Sequence, residues 1–150
     1  MAVSIQPTPE RLDELVRECL KEASGELASR SLTVTRQFGA GIPVYSMDRP
    51  LIKEALHNIL SEAMRSVGES RRLRVTVKAN RNAVMFAVKS PGPGLTQVQR
   101  EMLFTGEPLP GSPARAREII AAHGGVTWAN GIPGRGITYY FTLPIRRRET

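Results

Sequence analysis

Hydrophobic positions along this chain repeat with two periods, every three to four residues in some segments and every second residue in others. The first period is typical of helices, and three segments have it: 9–28, 51–66 and 112–122. The second period, or a short apolar run, is typical of strands, and the segments that have one or the other are 32–38, 44–47, 73–77, 83–88, 126–130 and 137–143. Helices and hairpins are mixed instead of alternating strictly. This order predicts an α+β fold, a two-layer sandwich of a mixed, mostly antiparallel sheet with about three helices on one face.

Residues at the ends of these segments fit the chemistry of helix starts. We expect Thr8 to cap the first helix, with Pro9 in its first turn. Asp48 is expected to cap the second helix, because its carboxylate can accept from a free backbone N–H group. Thr96 predicts the start of a further short helix, and Ser112 predicts the start of the last one.

Composition adds limits to this picture. The chain has 150 residues, of which 41% are hydrophobic and 23% charged, which is ordinary for one soluble domain over residues 1–150. Its single cysteine, Cys19, excludes an internal disulfide and a cysteine-based metal cluster. No apolar stretch approaches the length of a membrane span, and the start of the chain does not resemble a signal peptide. We therefore expect a cytoplasmic setting.

The chain has a net charge of +7, and its basic residues cluster around one predicted strand and in the tail at residues 146–148. The basic residues around the strand are Arg71, Arg72, Arg74, Lys78 and Arg81. Nucleic-acid binding by stacking would need aromatic residues interleaved with the basic ones, and the three Tyr and four Phe are not so placed. The pattern argues against a nucleic-acid partner. It leaves two interpretations of the basic strand, a solvated face or a docking surface for an acidic partner.

A glycine-rich turn, SPGPGL at residues 90–95, follows a predicted strand and precedes a predicted short helix. With this turn the chain resembles the ATP-binding catalytic domain of sensor histidine kinases, within the gyrase, Hsp90, histidine kinase and MutL ATPase superfamily. Residues 123–144, HGGVTWANGIPGRGITYYFTLP, are similar to the closing hairpin of that family. Residues 51–66 resemble its N-box helix, residues 90–95 its first glycine box, and Phe104 lies where its phenylalanine box falls. The resemblance covers almost the whole chain and implies the family's fold, with ATP and Mg²⁺ as its ligands.

The resemblance also implies a nucleotide site around the second helix. Asn58 matches the first asparagine of the N-box. Glu62, four residues on and on the same helix face, stands where the family has its magnesium-binding asparagine. A carboxylate can bind Mg²⁺, so Glu62 is the candidate metal ligand, and Asn58 and Glu62 are the candidate catalytic residues of an active domain. Arg65 matches a basic residue that faces the phosphates.

Other positions depart from the family pattern. Ser90 stands where an aspartate accepts a hydrogen bond from adenine, and a hydroxyl lacks the charge that strengthens such a bond. Gly92 and Gly94 match the glycines that let the base approach the backbone. In the second glycine box, Gly111 is the glycine that is kept, and Pro113 removes an amide donor where phosphates bind. These departures together predict weakened or lost ATP binding.

Each candidate residue also has a simpler structural interpretation. Asn58 fits a buried polar residue whose hydrogen bonds are satisfied within the protein. Glu62 and Arg65, three residues apart, fit an ion pair on one helix face. Arg115 and Arg117 fit a solvated face. Residues that we expect to serve packing or helix ends instead of catalysis are His57, His123 and Trp128.

We therefore expect a histidine-kinase-type ATPase domain of two-component or phosphorelay signalling, with a docking or regulatory role like that of a pseudo-kinase. The predicted first helix contains no histidine, so we expect the chain to lack dimerisation and phosphoacceptor helices. The implied partners are a histidine kinase dimerisation domain, a response regulator or a phosphotransfer protein. Two alternatives stay open. One is a catalytic domain that binds ATP and Mg²⁺. The other is a stand-alone regulator like the anti-sigma-factor kinases, whose N-box has glutamate before asparagine, the reverse of Asn58 and Glu62.

Overall fold

The protein consists of a five-stranded main sheet, a short two-stranded sheet and the helices that pack against them. The structure is a computed structural model and describes residues 3–67, 71–131 and 134–145. In chain order the strands are β1 (Thr8–Glu10), β2 (Thr33–Phe38), β3 (Tyr45–Met47), β4 (Arg72–Ala79), β5 (Ala83–Ser90), β6 (Val126–Asn130) and β7 (Ile137–Pro144). The helices are α1 (Leu12–Glu22), α2 (Ser24–Ser29), α3 (Arg49–Arg65), α4 (Gln97–Leu103) and α5 (Pro113–Ala122).

The main sheet has the strand order β2-β4-β5-β7-β6. The pairing of β2 with β4 is parallel, and the other three pairings are antiparallel. Side chains alternate between the two faces of each strand, and one face packs against α3 and α5. On that face Phe86 of β5 lies opposite Phe141 of β7, with ring centroids 5.2 Å apart, and both rings are fully buried. The predicted α+β sandwich with a mixed, mostly antiparallel sheet is therefore confirmed.

Three predicted helix starts are confirmed by their hydrogen bonds. The Asp48 carboxylate accepts from the backbone N–H of Leu51 at 3.1 Å at the start of α3. The Thr96 hydroxyl accepts from the N–H of residue 99 at 3.1 Å and forms a capping box with it. The Ser112 hydroxyl accepts from the N–H of Arg115 at 3.0 Å at the start of α5. These short polar residues fix the ends of the helices that surround the candidate site.

The predicted start of the first helix is wrong. Thr8 and Pro9 belong to β1, which pairs antiparallel with β3 in the small sheet, and the residue that precedes α1 is Arg11. The segment 9–28 is two helices, since α1 ends at Glu22 and α2 follows after Ala23. A strand pairing with residues far along the chain overrides the local capping preference here, which local patterns do not reveal.

Two further predictions concern the turn of the closing hairpin and the absence of a membrane-spanning segment. The predicted turn between the last two strands includes residues 132–133, which lie outside the described residues. Among the helices of the described ranges, none combines the length and the apolar character that a bilayer span requires. Cys19 is a buried free thiol on α1.

Candidate functional site

Three hydroxyl groups meet where the end of α3 contacts the end of β5. The Ser90 side chain is fully buried, and its hydroxyl donates to the carbonyl oxygen of Ala63 at 3.1 Å. The Ser66 hydroxyl lies 2.9 Å from the Tyr139 hydroxyl and 3.4 Å from the Ser90 hydroxyl. We call Ser66, Ser90 and Tyr139 the hydroxyl cluster. Burial raises the pKa of Tyr139, so the cluster is uncharged at neutral pH.

The glycine-rich turn directly after Ser90 is packed against protein backbone. A Cβ atom added at Gly92 would come much closer to the carbonyl oxygen of Ser66 than real Cβ atoms do. On the other side of the turn, the N–H of Gly134 donates to the carbonyl oxygen of Pro93 at 2.6 Å. Gly94 has a φ of +74°, which favours glycine. Glycine at position 92 therefore allows the turn to pack against the end of α3, and this requirement holds without any bound ligand.

The middle of α3 is tied to the start of α5. Asn58 is buried, and its side-chain amide donates to the carbonyl oxygen of Ser112 at 3.2 Å. Nearby, the Arg115 guanidinium donates to Glu54 on α3 at 2.7 Å and to Glu118 at 3.0 Å. These hydrogen bonds raise the pKa of Arg115. The solvated face that we predicted is therefore wrong for Arg115, which is 24% exposed and ion-paired, whereas Arg117 is exposed.

Glu62 and Arg65 form an ion pair one turn after Asn58. The Glu62 side chain is 15% exposed, whereas the Arg65 side chain is 71% exposed. The Glu62 carboxylate, our candidate metal ligand, is thus paired within its own helix with a partner that extends into solvent. This pair matches the structural interpretation of the two residues.

The first turn of α5 offers few free amides. Proline at position 113 has no N–H group, and the N–H of Arg115 already donates to the Ser112 hydroxyl. Of the first three helical residues, this leaves Ala114 as the available donor. Gly111 precedes the helix with a φ of +83° and is exposed. An anion site at this helix start would therefore have less than the usual set of backbone donors.

The predicted site residues thus fall into two groups. Ser90 and Gly92 lie at the end of α3 with the hydroxyl cluster, and Asn58 lies against Ser112 at the start of α5. The prediction missed Tyr139, which is 73 residues from Ser66 in the chain. Its position on the inward-facing side of a strand is visible in the alternation of β7, but its hydroxyl partner is not.

The sheet order, the long helix α3 and the turn after β5 give this chain the fold of the catalytic domains of histidine kinases. Residues 47–147 match the family described as histidine kinase-, DNA gyrase B-, and HSP90-like ATPase, and the chain belongs to this family.

Individual relatives agree with this family. The chain is 33% identical over 141 residues to the methanogenesis regulatory histidine kinase FilI of Methanothrix harundinacea (strain 6Ac), which covers 87% of this chain and 16% of FilI. It is 24% identical over 156 residues to the adaptive-response sensory kinase SasA of Crocosphaera subtropica (strain ATCC 51142 / BH68), with 97% of this chain and 41% of SasA covered. The chain therefore spans less than half the length of these curated relatives.

Solved structures share the fold. The nucleotide-free catalytic domain of histidine kinase ThkA superposes with a TM-score of 0.83 at 22% identity, over 93% of this chain and 96% of that domain. Full-length ShkA in complex with AMPPNP gives a TM-score of 0.85 at 21% identity, over 96% of this chain and 32% of ShkA. ThkA in complex with the response regulator protein TrrA gives 0.80 at 23% identity, over 92% of this chain and 41% of that chain.

Proposed function

We propose that this chain is a histidine-kinase-type ATPase domain of two-component signalling in which ATP binding is weakened or lost, and that it acts by docking or regulation. The observation that carries the proposal is the hydroxyl cluster of Ser66, Ser90 and Tyr139. By resemblance to the family, Ser90 of this cluster stands where a carboxylate binds adenine. The proposal covers residues 1–150 as one such domain in the cytoplasm.

The hydroxyl at position 90 is a poor substitute for the family's carboxylate. Ser90 donates its single hydrogen to the Ala63 carbonyl oxygen at 3.1 Å, and Ser66 approaches one of its lone pairs at 3.4 Å. A hydroxyl oxygen carries no charge, and charged acceptors form hydrogen bonds that are roughly twice as strong. The adenine amino group would therefore find a weaker, uncharged acceptor, on a side chain that is fully buried and whose hydrogen is donated to the protein.

The phosphate and metal positions also fit ATP and Mg²⁺ poorly. Glu62 replaces an uncharged asparagine and is paired with Arg65, so each of these two side chains already has a partner of opposite charge. Asn58 donates to the Ser112 carbonyl oxygen, and Pro113 lacks the amide that would face a phosphate. Because the residues present do not fit the complete ligand, we derive no phosphoryl-transfer step for this chain.

The signalling context of the proposal rests on the relatives. FilI is a regulatory histidine kinase, SasA is a sensory kinase, and histidine kinase ThkA has been solved in complex with the response regulator protein TrrA. We propose that the partner of this chain is of the same kind: a histidine kinase dimerisation domain, a response regulator or a phosphotransfer protein. The order of Asn58 and Glu62 argues against the anti-sigma-factor type of regulator, whose N-box has the reverse order.

A titration with fluorescent mant-ATP, with and without Mg²⁺, tests the loss of nucleotide binding. The unmodified chain is expected to give no saturable signal in the micromolar range. The double variant Ser90→Asp, Glu62→Asn restores the family residues and is expected to gain affinity. Ser61→Asp is the matched control, because it adds the same carboxylate at an exposed position on α3 and is expected to gain nothing.

The outcomes separate the alternatives. Micromolar, Mg²⁺-dependent binding by the unmodified chain would contradict the proposal and support a competent ATP-binding domain with Glu62 as a metal ligand. If the double variant gains affinity and Ser61→Asp does not, the two substituted positions are the main defect. If neither variant binds, the second glycine box with Pro113 is the larger defect, and the loss of binding stands.

A further inference from the structure

The face of the main sheet that points away from the helices carries a mixed basic and aromatic surface, and no helix of the described ranges covers its basic part. Along β4, Leu73, Val75 and Val77 are buried against the helices, so the alternating residues Arg74 and Lys78 point to the other side. The open face is defined here by Arg74, Lys78, Lys89, Ala87, Tyr140 and Trp128. It lies on the opposite side of the sheet from the hydroxyl cluster, because Lys89 and the buried Ser90 are neighbours on one strand.

The charge of this sheet has one sign. The five main strands contain no aspartate or glutamate, and four of their cations, Arg72, Arg74, Lys78 and Lys89, are exposed. None of the four forms an ion pair with any residue in the described ranges, whereas cations on the helices, such as Arg49 and Lys53, are paired with glutamates.

Two of these cations face each other directly. Arg74 and Lys89 are cross-strand partners in the register of β4 and β5. Like charges in this position destabilise a sheet, so folding stability alone does not favour the pair. Together with Arg72 and Thr35 they line a cavity of about 290 Å³ beside Pro91. This cavity has the size and the charge to receive an acidic side chain.

An apolar row crosses the open face next to the basic one. Ala87, Tyr140 and Trp128 are aligned across β5, β7 and β6, and the Trp128 ring stacks on the Tyr140 ring at 4.9 Å with an interplanar angle of 7°. Trp128 remains 37% exposed. Arg74 and Lys78 lie on the two sides of this row, roughly 13 Å apart along β4 at about 3.3 Å per residue. Tyrosine, tryptophan and arginine around an apolar centre are the residues that protein interfaces favour.

We propose that the open face docks an acidic surface of a partner protein, with carboxylates near Arg72, Arg74 and Lys89 and an apolar side chain against Tyr140 and Trp128. A protein fits better than a nucleic acid because the two rings cover one face of each other, whereas base-stacking surfaces present separate free rings to successive bases. Because the cations of this surface are exposed, the association should be salt-sensitive. The proposed docking does not depend on nucleotide binding, since the hydroxyl cluster and the other candidate nucleotide-site residues lie on the helix side of the sheet.

A peptide titration observed by two-dimensional amide NMR tests this surface. The probe is a 12-residue peptide of alternating Asp and Glu with Leu-Phe at its centre, at 50 mM and 200 mM NaCl. We expect amide shifts at Thr76, Ala87 and Tyr140, and weaker binding at the higher salt concentration. Arg74→Glu is expected to weaken binding at least tenfold. It is also expected to fold, because it replaces a like-charged cross-strand pair with an opposite one.

The matched control is Arg36→Glu. Arg36 is an exposed cation of the same sheet, but it pairs in register with the buried Val75 and so belongs to the helix side. It is expected to change binding less than twofold. Equal weakening by both variants would mean that only net charge matters and would overturn the proposal. Shifts outside the open face would overturn it as well, and so would tighter binding of a 12-nucleotide single-stranded DNA or of phosphatidylserine vesicles at the same residues.

Discussion

Replacing Gly92 with alanine should destabilise the protein even when no nucleotide is present. The added Cβ atom would collide with the carbonyl oxygen of Ser66 and would lie 3.0 Å from its carbonyl carbon and 3.1 Å from that of Val67. These atoms cannot easily yield, because the Ser66 N–H donates to the end of α3 and its hydroxyl belongs to the hydroxyl cluster. Either the turn or the end of α3 must move.

The expected loss in the free energy of unfolding can be worked out from the kind of contact that the added Cβ atom makes. Overpacking in a well-packed region costs about 1–3 kcal/mol, and a collision with backbone belongs near the upper end of that range. Alanine also reduces the freedom of the unfolded chain, which offsets about 0.4–1 kcal/mol. We therefore expect Gly92→Ala to lower the free energy of unfolding by about 2 kcal/mol, measured by urea denaturation with far-ultraviolet circular dichroism.

Two other glycines serve as controls. Gly25 lies in α2 with no atom near the added Cβ, so Gly25→Ala is expected to stabilise by up to about 1 kcal/mol. Gly111 has the same open space but a φ of +83°, so Gly111→Ala isolates backbone strain of roughly 1–2 kcal/mol. If Gly92→Ala were as stable as Gly25→Ala, the close packing of the turn against α3 would be refuted. The glycine at position 92 would then have to be explained by a ligand that approaches the turn.

Three further predictions concern single groups. Burial raises the pKa of the Cys19 thiol to about 12, so at pH 8 it should react with a thiol reagent far more slowly in the native protein than in urea. Hydrogen bonds from Lys53 and then His57 hold the pKa of Glu22 below its ordinary value of 4.5. This group therefore contributes stability above pH 4.5 that is lost as the pH falls through the lowered value, and Lys53→Met should reduce that loss in acid unfolding curves. Asp48→Ala should lower the free energy of unfolding by about 1–2 kcal/mol in the same denaturation assay, because Leu51 and Gln6 lose the acceptor of their N–H groups; an unchanged value would contradict the capping role.

Local chemistry predicts the ends of helices well in this chain, and distant pairing is where it fails. Asp48, Thr96 and Ser112 each accept from an N–H group three residues on, so the signal and its partner lie within one helical turn. Thr8 has the same chemistry as a cap, but β3 takes its backbone into a sheet. No local pattern encodes that competition, because the pairing partner Met47 is far along the chain.

For the candidate site, too, the sequence indicated individual residues but not the distant residues that they contact. Position-by-position resemblance located Asn58, Glu62 and Ser90, because each stands at a fixed offset within a helix or a turn. It did not locate the neighbours that engage them. Ser112 lies 54 residues from Asn58, and Tyr139 lies 73 residues from Ser66. The identity of a residue follows from the sequence here, whereas the occupation of its hydrogen bonds depends on contacts between elements that the fold brings together.

The last two residues of β5 belong to different sites, one on each face of the main sheet. Lys89 points to the basic surface and Ser90 to the hydroxyl cluster, so one strand carries a group of each site on opposite faces of the sheet. A rigid central strand that is paired on both sides, with β4 and β7, does not transmit a side-chain change from one face to the other by bending. Partner docking and nucleotide affinity should therefore vary independently. Arg74→Glu is expected to leave the mant-ATP titration of the Ser90→Asp, Glu62→Asn variant unchanged, and a shift in that titration would mean that a change on the open face reaches the other face of the sheet.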